Sequence, residues 1–226
     1  MPHASENCIR PQGMKRHQPG TLLIVIDAQK GFAHPDGSLA RAYGYDEIRP
    51  GVKALAEIHR FLAGCPPSLE AVFVRSEYSP GQFTDGRLDH PLANLCVPTS
   101  NIDCEWADGL DVGRASRVVT KRQADAMNSP EYRDLVERFV ALGAGTVCFA
   151  GFQLTTCVKA TAISTSATYR SRGVRVAVLT WLTGARASSY RSGHEPHSRV
   201  EHACSELRAS GVDVLRQPDD FAERAV

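Results

Sequence analysis

Six short apolar runs constrain the fold of this chain more than any other feature. Residues 21–27 (TLLIVID) form a continuous aliphatic and β-branched run that ends in a carboxylate. A run without polar alternation is typical of a strand covered on both faces in a parallel sheet. Five comparable runs follow, at residues 71–75, 117–120, 146–151, 174–180 and 212–215.

Helical patterns separate these runs. Apolar residues recur at three- or four-residue spacing over 46–63 and 130–142, and further helices are predicted over about 156–172 and 197–210, ending at Gly173 and Gly211. The alternation predicts an α/β fold, a three-layer, doubly wound, six-stranded parallel sheet with helices on both faces. Residues 76–116 are the exception, rich in Pro, Gly, Asp and Asn, and a loop of this length is usually functional or disordered.

Length and composition favour one soluble domain over 21–226. Residues 1–20 lack the apolar stretch of a secretory signal peptide and are interpreted as a flexible tail. A net charge of +1 gives no argument for nucleic acid or a membrane as a partner. The seven cysteines form an odd set without a C-x-x-C pair, which favours a reduced, cytoplasmic protein; they are at positions 8, 65, 96, 104, 148, 157 and 204.

Three reactive residues stand where apolar runs end. Asp27 closes the first run, Lys121 closes the third, and Cys157 follows the fourth by a short turn. Ligands of open α/β sheets bind at the carboxyl ends of strands, so these residues are the first candidates for a site. Cys157 falls in the first turn of a predicted helix, where backbone N–H groups and the helix dipole favour a thiolate. Alone, each has an ordinary structural interpretation as a cap, a surface lysine or a buried thiol.

Taken in order, the three motifs resemble the isochorismatase-like cysteine hydrolase superfamily, which includes nicotinamidases and N-carbamoylsarcosine amidohydrolases. The resemblance covers about residues 20–218. Its motifs are D-x-Q-x-x-F after the first strand (IDAQKGF), a short strand ending in lysine (VVTK), and a glycine-led turn into cysteine (GFQLTTCV).

The resemblance implies a chemistry for these residues. Asp27 would act as general base, Cys157 as nucleophile and Lys121 as proton shuttle in hydrolysis of an amide-type C–N bond through an acyl-enzyme. The backbone N–H groups of Gln153 and Cys157 would form an oxyanion hole after a cis Phe152–Gln153 bond. The bond cleaved could belong to a carboxamide, a carbamoyl compound, a ureide or a lactam.

Candidates for substrate contacts come from the first motif and from the long loop. Phe32 and Gln29 of the first motif, and Tyr78 and Trp106 of the long loop, are the candidates for the wall of the substrate pocket. The chain departs from the family at Leu154, at Trp181 and over 122–127 (RQADAM), which indicates an unusual substrate.

The sequence predicts neither a metal site nor a cofactor. Nicotinamidases of this superfamily carry an Asp-x-His pair after the second strand, where this chain reads RSEYSPG. His90 stands alone, and His194 and His197 are separated by Pro196 with no third ligand evident. Beyond a small-molecule substrate, the resemblance implies a homo-oligomer, a dimer or a tetramer.

Two alternatives remain open from the sequence. One is hydrolysis of an isochorismate-type vinyl ether with Asp27 as acid, against which the presence of Cys157 argues. The other is a non-catalytic binding protein on the same fold, for which the loss of a reactive residue would be the sign.

Overall fold

The computed structural model describes residues 20–66, 69–98 and 102–222. Its six strands are all parallel, in the order β3-β2-β1-β4-β5-β6. They are β1 (Thr21–Ile26), β2 (Leu69–Ser76), β3 (Arg117–Lys121), β4 (Thr146–Phe152), β5 (Arg175–Gly184) and β6 (Asp213–Leu215). All six predicted strands are present, and the predicted fold class is confirmed. The predicted flexible tail lies, apart from Gly20, outside the described residues.

Helices cover both faces of this sheet. They are α1 (Lys30–Ala33), α2 (Ser38–Tyr43), α3 (Tyr45–Gly64), α4 (Pro130–Ala141), α5 (Lys159–Tyr169), α6 (Arg199–Ala209) and α7 (Pro218–Ala222). The four predicted helices correspond to α3, α4, α5 and α6. A turn of π-helix, Leu154–Val158, precedes α5 and was not predicted. No described helix is long and apolar enough to cross a membrane.

The burial of β1 explains its unbroken apolar run. Leu22, Ile24 and Ile26 pack on one face against residues of α4, α5 and α6. Leu23 and Val25 pack on the other face against α3. Every β1 side chain is buried, so the strand has no solvent-facing positions at which polar residues would alternate with apolar ones.

Close backbone contacts bring the strand ends together. Gly151, near the end of β4, has φ +101°, and a Cβ there would overlap the carbonyl oxygen of Ile26 in β1. At the end of β5, a Cβ on Gly184 would lie 2.6 Å from the Cα of Gly51 in α3. Glycine is therefore required at both positions for the approach of β4 to β1 and of α3 to β5.

The long segment between β2 and β3 is folded where the structure describes it. Short 3₁₀ turns run over Pro91–Asn94, Ile102–Cys104 and Val112–Arg114. The buried Asp103 carboxylate accepts hydrogen bonds from the backbone N–H of Ser38 at 3.0 Å and of Cys96 at 3.3 Å. One side chain thus fixes this segment to the start of α2, an arrangement that no sequence periodicity signals.

Candidate active site

The three predicted reactive residues meet at the carboxyl edge of the sheet. Asp27 directly follows β1, Lys121 ends β3, and Cys157 lies in the π-helical turn after β4. The chain order of the strands reverses between β1 and β4, which is where ligands bind in doubly wound sheets. All three residues are buried. Lys121 Nζ lies 3.0 Å from Asp27 Oδ2.

Asp27 has a left-handed backbone conformation, with φ 54°. Such a conformation is uncommon outside glycine and is associated with functional sites. The backbone N–H of Asp27 donates to the carbonyl of Val74 in β2 at 2.8 Å, which helps to hold the residue in this conformation.

Ser76, at the end of β2, connects the aspartate and the lysine. Lys121 Nζ donates to Ser76 Oγ at 2.7 Å, and Ser76 Oγ donates to Asp27 Oδ1 at 2.8 Å. Gln29 holds Ser76 in place, since its amide donates to the Ser76 carbonyl and its Oε1 accepts from the Ser76 N–H. Sequence reasoning missed Ser76, although its position directly after the apolar run 71–75 was an available signal.

One carboxylate oxygen of Asp27 accepts none of the hydrogen bonds that Lys121 donates. The three ammonium protons have acceptors in Ser76 Oγ, Tyr78 Oη and the Gln123 carbonyl, at 2.7, 2.8 and 3.2 Å. Asp27 Oδ2 is buried and accepts no hydrogen bond from the described residues. A buried carboxylate oxygen beside an ammonium group, without a donor of its own, is suited to accept a proton.

Burial determines the charge state of Cys157. Burial raises the pKa of the thiol, Lys121 lowers it and Asp27 raises it, with a net increase above the ordinary value. The structure therefore favours a neutral thiol near neutral pH, in place of the thiolate that the helix start predicted. Burial lowers the pKa of Lys121, but Asp27 and Cys157 raise it by more, so the amine stays protonated.

Tyr78 contacts both the lysine and the cysteine. Its Oη accepts from Lys121 Nζ and lies 3.8 Å from Cys157 Sγ. Burial raises the pKa of Tyr78 far above the usual range, and Asp27 and Cys157 raise it further. The phenol is consequently neutral, and it can accept from the thiol or donate its own proton to the sulfur.

A cavity of about 320 Å³ opens beside Cys157. Its walls are mostly aromatic and aliphatic side chains, with polar groups near the sulfur. The lining residues are Phe32, Leu39, Tyr43, Tyr78, Phe83, Leu92, Leu95, Ala124, Gln153, Thr156, Cys157 and Arg186.

Of the four residues predicted to contact substrate, the structure places two in this cavity wall. Phe32 and Tyr78 line it. Gln29 does not, because it is fully buried and bonded to the backbone of Ser76. Trp106 packs instead against Phe73, with ring centroids 5.6 Å apart.

The backbone groups predicted for an oxyanion hole border the same space. Gln153 and Cys157 both line the cavity, and the Phe152–Gln153 peptide bond is cis. The predicted departure at Leu154 has a structural role, since this side chain is buried in the core beneath the turn. Trp181 packs at the edge of the apolar cluster on the other face and does not line the cavity.

Arg186 supplies a cation that the sequence analysis missed. It follows the end of β5, and its guanidinium lies 4.0 Å from the ring centroid of Tyr43, another wall residue. Among the described residues, no carboxylate oxygen lies within 4.0 Å of this guanidinium. The nearby Glu47 accepts from Ser188 Oγ at 2.5 Å and pairs with Arg191 at 3.7 Å. The charge of Arg186 also favours the Glu47 carboxylate, and the residue lines the cavity, where it can attract an anionic group.

The donor set beside β2 does not fit a metal ion. Glu77 pairs with Arg75, and the His90 ring nitrogen accepts from the backbone N–H of Leu92 at 3.1 Å. His194 and His197 are exposed in the loop before α6. Within the described ranges, no group of three or more His, Cys, Asp or Glu side chains could hold a metal.

Comparisons with known proteins agree with this architecture. A family model described as the isochorismatase domain matches residues 21–217. PnC1 from L. infantum, solved in complex with nicotinate, is 22% identical with a TM-score of 0.66, over 88% of this chain and 93% of that one. Pyrazinamidase of Pyrococcus horikoshii, solved in complex with zinc, is 18% identical with a TM-score of 0.65, over 88% and 100%.

A third solved relative has the same fold. The Acinetobacter baumanii nicotinamidase pyrazinamidase is 16% identical with a TM-score of 0.66, over 89% of this chain and 98% of that one. At such identities, the likeness establishes the fold. No curated protein matches the sequence.

Proposed function

Because the chain belongs to the isochorismatase family, we propose that it is a cysteine-dependent hydrolase that cleaves an amide-type C–N bond of a small molecule. The observation that carries the proposal is the buried, unbonded Asp27 Oδ2 in contact with the Lys121 ammonium, beside a neutral Cys157 thiol under a cavity. This arrangement places a carboxylate base beside a thiol nucleophile.

The first half of the reaction follows from these positions. Asp27 takes the thiol proton as Cys157 Sγ attacks the substrate carbonyl carbon, and the carbonyl π electrons move to oxygen. The backbone N–H groups of Gln153 and Cys157 stabilise this oxyanion. The carbonyl then re-forms as the C–N bond breaks and the nitrogen takes the proton from Asp27. The amine or ammonia leaves, or in a lactam the amine stays attached to the acyl group as the ring opens.

Hydrolysis of the thioester completes the cycle. Asp27 takes a proton from water as the water oxygen attacks the acyl carbon. The C–S bond breaks, the acid is released and the proton returns to the Cys157 sulfur. The protonated Lys121 stabilises the anionic stages without changing its own charge.

The cavity wall supports a substrate with an apolar body and an anionic group. Phe32, Leu39 and Phe83 provide apolar surface, while Arg186 provides a cation in the wall. Carboxamides, carbamoyl compounds, ureides and lactams that carry a carboxylate fit this description.

The six described cysteines are unpaired, which supports a reducing, cytoplasmic location.

The test is to trap the acyl-enzyme. Wild type and Cys157→Ala are incubated with a panel of amides, including nicotinamide, pyrazinamide and carboxylate-bearing amides and lactams. Acid quenching and intact mass spectrometry should then reveal an acyl adduct on Cys157 and product release that the variant lacks. Cys148→Ala, which removes a buried thiol of the sheet, is the matched control and should keep activity.

The alternatives give distinct outcomes in the same experiment. Turnover of a vinyl ether that survives Cys157→Ala would replace the proposal with acid catalysis by Asp27. Saturable binding of panel compounds without any turnover or adduct would replace it with a binding protein.

A further inference from the structure

A single hydroxyl group connects Lys121 to the sulfur of Cys157. Ser76, Tyr78 and the Gln123 carbonyl accept hydrogen bonds from the ammonium group. The ammonium group also acts directly on the sulfur by its charge. Tyr78 Oη, which accepts from Lys121 at 2.8 Å, lies 3.8 Å from Cys157 Sγ. The phenol therefore adds a hydrogen-bonded path from the lysine to the nucleophile beside the direct effect of the lysine charge.

We propose that Tyr78 is a further catalytic residue, whose hydroxyl accepts from Lys121 and donates the hydrogen bond that stabilises the Cys157 sulfur as it becomes a thiolate. This role rests on the proposed function, because it assigns a donor to the nucleophile of that reaction. The thiol proton still passes to Asp27, and Tyr78 keeps its own proton throughout.

The direction of the hydrogen bonds supports this assignment. A phenol has one proton, and when its oxygen accepts from an ammonium group, that proton is free to point elsewhere. Hydrogen bonds to a charged partner are about twice as strong as neutral ones, so the contact strengthens as charge develops on the sulfur. The bond is accordingly stronger in the thiolate state than in the thiol, as catalysis requires.

The Tyr78 ring is held in place on several sides. The residue is 4% exposed, and its backbone N–H donates to the Cys96 carbonyl at 3.0 Å. Phe83 packs edge-on, with ring centroids 4.6 Å apart. A donor fixed in this way needs little reorganisation during the reaction.

The other groups near the sulfur define the controls. Asp27 reaches Cys157 from β1, Lys121 from β3, and Arg186 lines the same cavity after β5. Thr156 Oγ1 is a further hydroxyl donor, 4.0 Å from the sulfur. The Thr156 hydroxyl does not contact Lys121, so removing it tests whether any hydroxyl near the sulfur can stabilise the thiolate.

The experiment measures the rate at which iodoacetamide alkylates Cys157 from pH 6 to pH 11, by peptide mass mapping. In Tyr78→Phe, we expect the midpoint of the profile to move to higher pH and the rate at pH 8 to fall about tenfold, with little change in the limiting rate at high pH. Tyr132→Phe removes a buried tyrosine hydroxyl that contacts Thr165 outside the cavity and should change the rate by less than about threefold. Thr156→Val, which removes the other hydroxyl near the sulfur, should lower the rate by less than Tyr78→Phe does.

A second variant reverses the direction of the effect. Fluorotyrosine placed at position 78 keeps the shape of the ring and is a stronger donor, so the midpoint should move to lower pH than in wild type. Superimposable profiles for wild type, Tyr78→Phe and fluorotyrosine would overturn the assignment. Amide turnover tests the proposed function separately, because the alkylation profile needs no substrate.

Discussion

Lys121 Nζ lies 3.0 Å from Asp27 Oδ2, and neither side chain has any solvent exposure. Taking two charges out of water is costly, and their attraction offsets the cost only when both are present. The pair is therefore part of the folded architecture as well as of the candidate chemistry. Substitutions at either position should affect stability and reactivity together, which shapes the experiments below.

Asp27→Asn should lower the free energy of unfolding by about 3–5 kcal/mol, because it leaves a buried ammonium group without a counter-ion. Urea unfolding measures the loss. Glu105→Gln, which breaks a solvent-screened pair with Lys30, is the control and should have a much smaller effect. An equal effect of both changes would contradict a stabilising role for the buried pair.

Gln29→Leu should lower the free energy of unfolding by about 1–3 kcal/mol, because it leaves the N–H and carbonyl of Ser76 without their buried partner. The proposed hydrolysis should slow as well, since Ser76 positions Asp27 and Lys121. Gln82→Ala removes comparable hydrogen bonds at an exposed site and serves as reference for both assays. Wild-type hydrolysis rates in Gln29→Leu would rule out the positioning role.

Arg186→Gln should abolish a preference for anionic reagents at Cys157. Alkylation rates are compared for N-(carboxyalkyl) and matched N-alkyl iodoacetamides of increasing chain length. At the length that reaches Arg186, wild type should favour the carboxylate by about tenfold. Arg191→Gln removes a neighbouring exposed arginine that pairs with Glu47 and should leave the preference intact. A preference that survives Arg186→Gln would assign it to Lys121 instead.

Gly151→Ala should prevent folding to the native state, whereas Gly173→Ala should cost only about 1 kcal/mol. Both glycines have positive φ, but only the first would place a Cβ against backbone, that of Ile26. The comparison isolates the close approach of β4 to β1 from the strain of the backbone angle. Thermal unfolding of both variants measures it, and equal effects would show that the angle alone matters.

The free energy of unfolding should fall at alkaline pH in part because of Cys148. Burial raises the pKa of this thiol from 9.0 to about 12, so the folded state keeps a proton that the unfolded state releases. The resulting stabilisation is complete below pH 9 and is lost as pH rises toward 12, with about 2 kcal/mol lost by pH 10.5. Urea unfolding of Cys148→Ala over this range should show a shallower decline than wild type. Parallel declines would contradict the shift.

The sequence predicted the elements that depend on local pattern. Unbroken apolar runs are sufficient to identify β1 and β4, and three- or four-residue spacing identifies α3 and α4. Asp27, Lys121 and Cys157 were found because each stands where an apolar run ends, and parallel strands end at one edge of the sheet.

The remaining features depend on contacts between distant segments. The bonds from Gln29 to Ser76 require the parallel pairing of β1 with β2, which no single run of residues contains. Arg186 enters the cavity only because β5 continues past its predicted end. The neutral state of Cys157 reflects burial, and the helix start alone predicted the opposite charge.

The cavity wall and the reacting groups come from different parts of the chain. Asp27, Lys121 and Cys157 are anchored by strand ends, whereas much of the wall comes from α1, α2 and the segment between β2 and β3. The described parts of these segments lie outside the sheet and are held by contacts such as those of Asp103. Because Tyr78 lies in the segment after β2, α1 and α2 are the parts of the wall that can be exchanged between relatives to admit new compounds without changing the groups around Cys157.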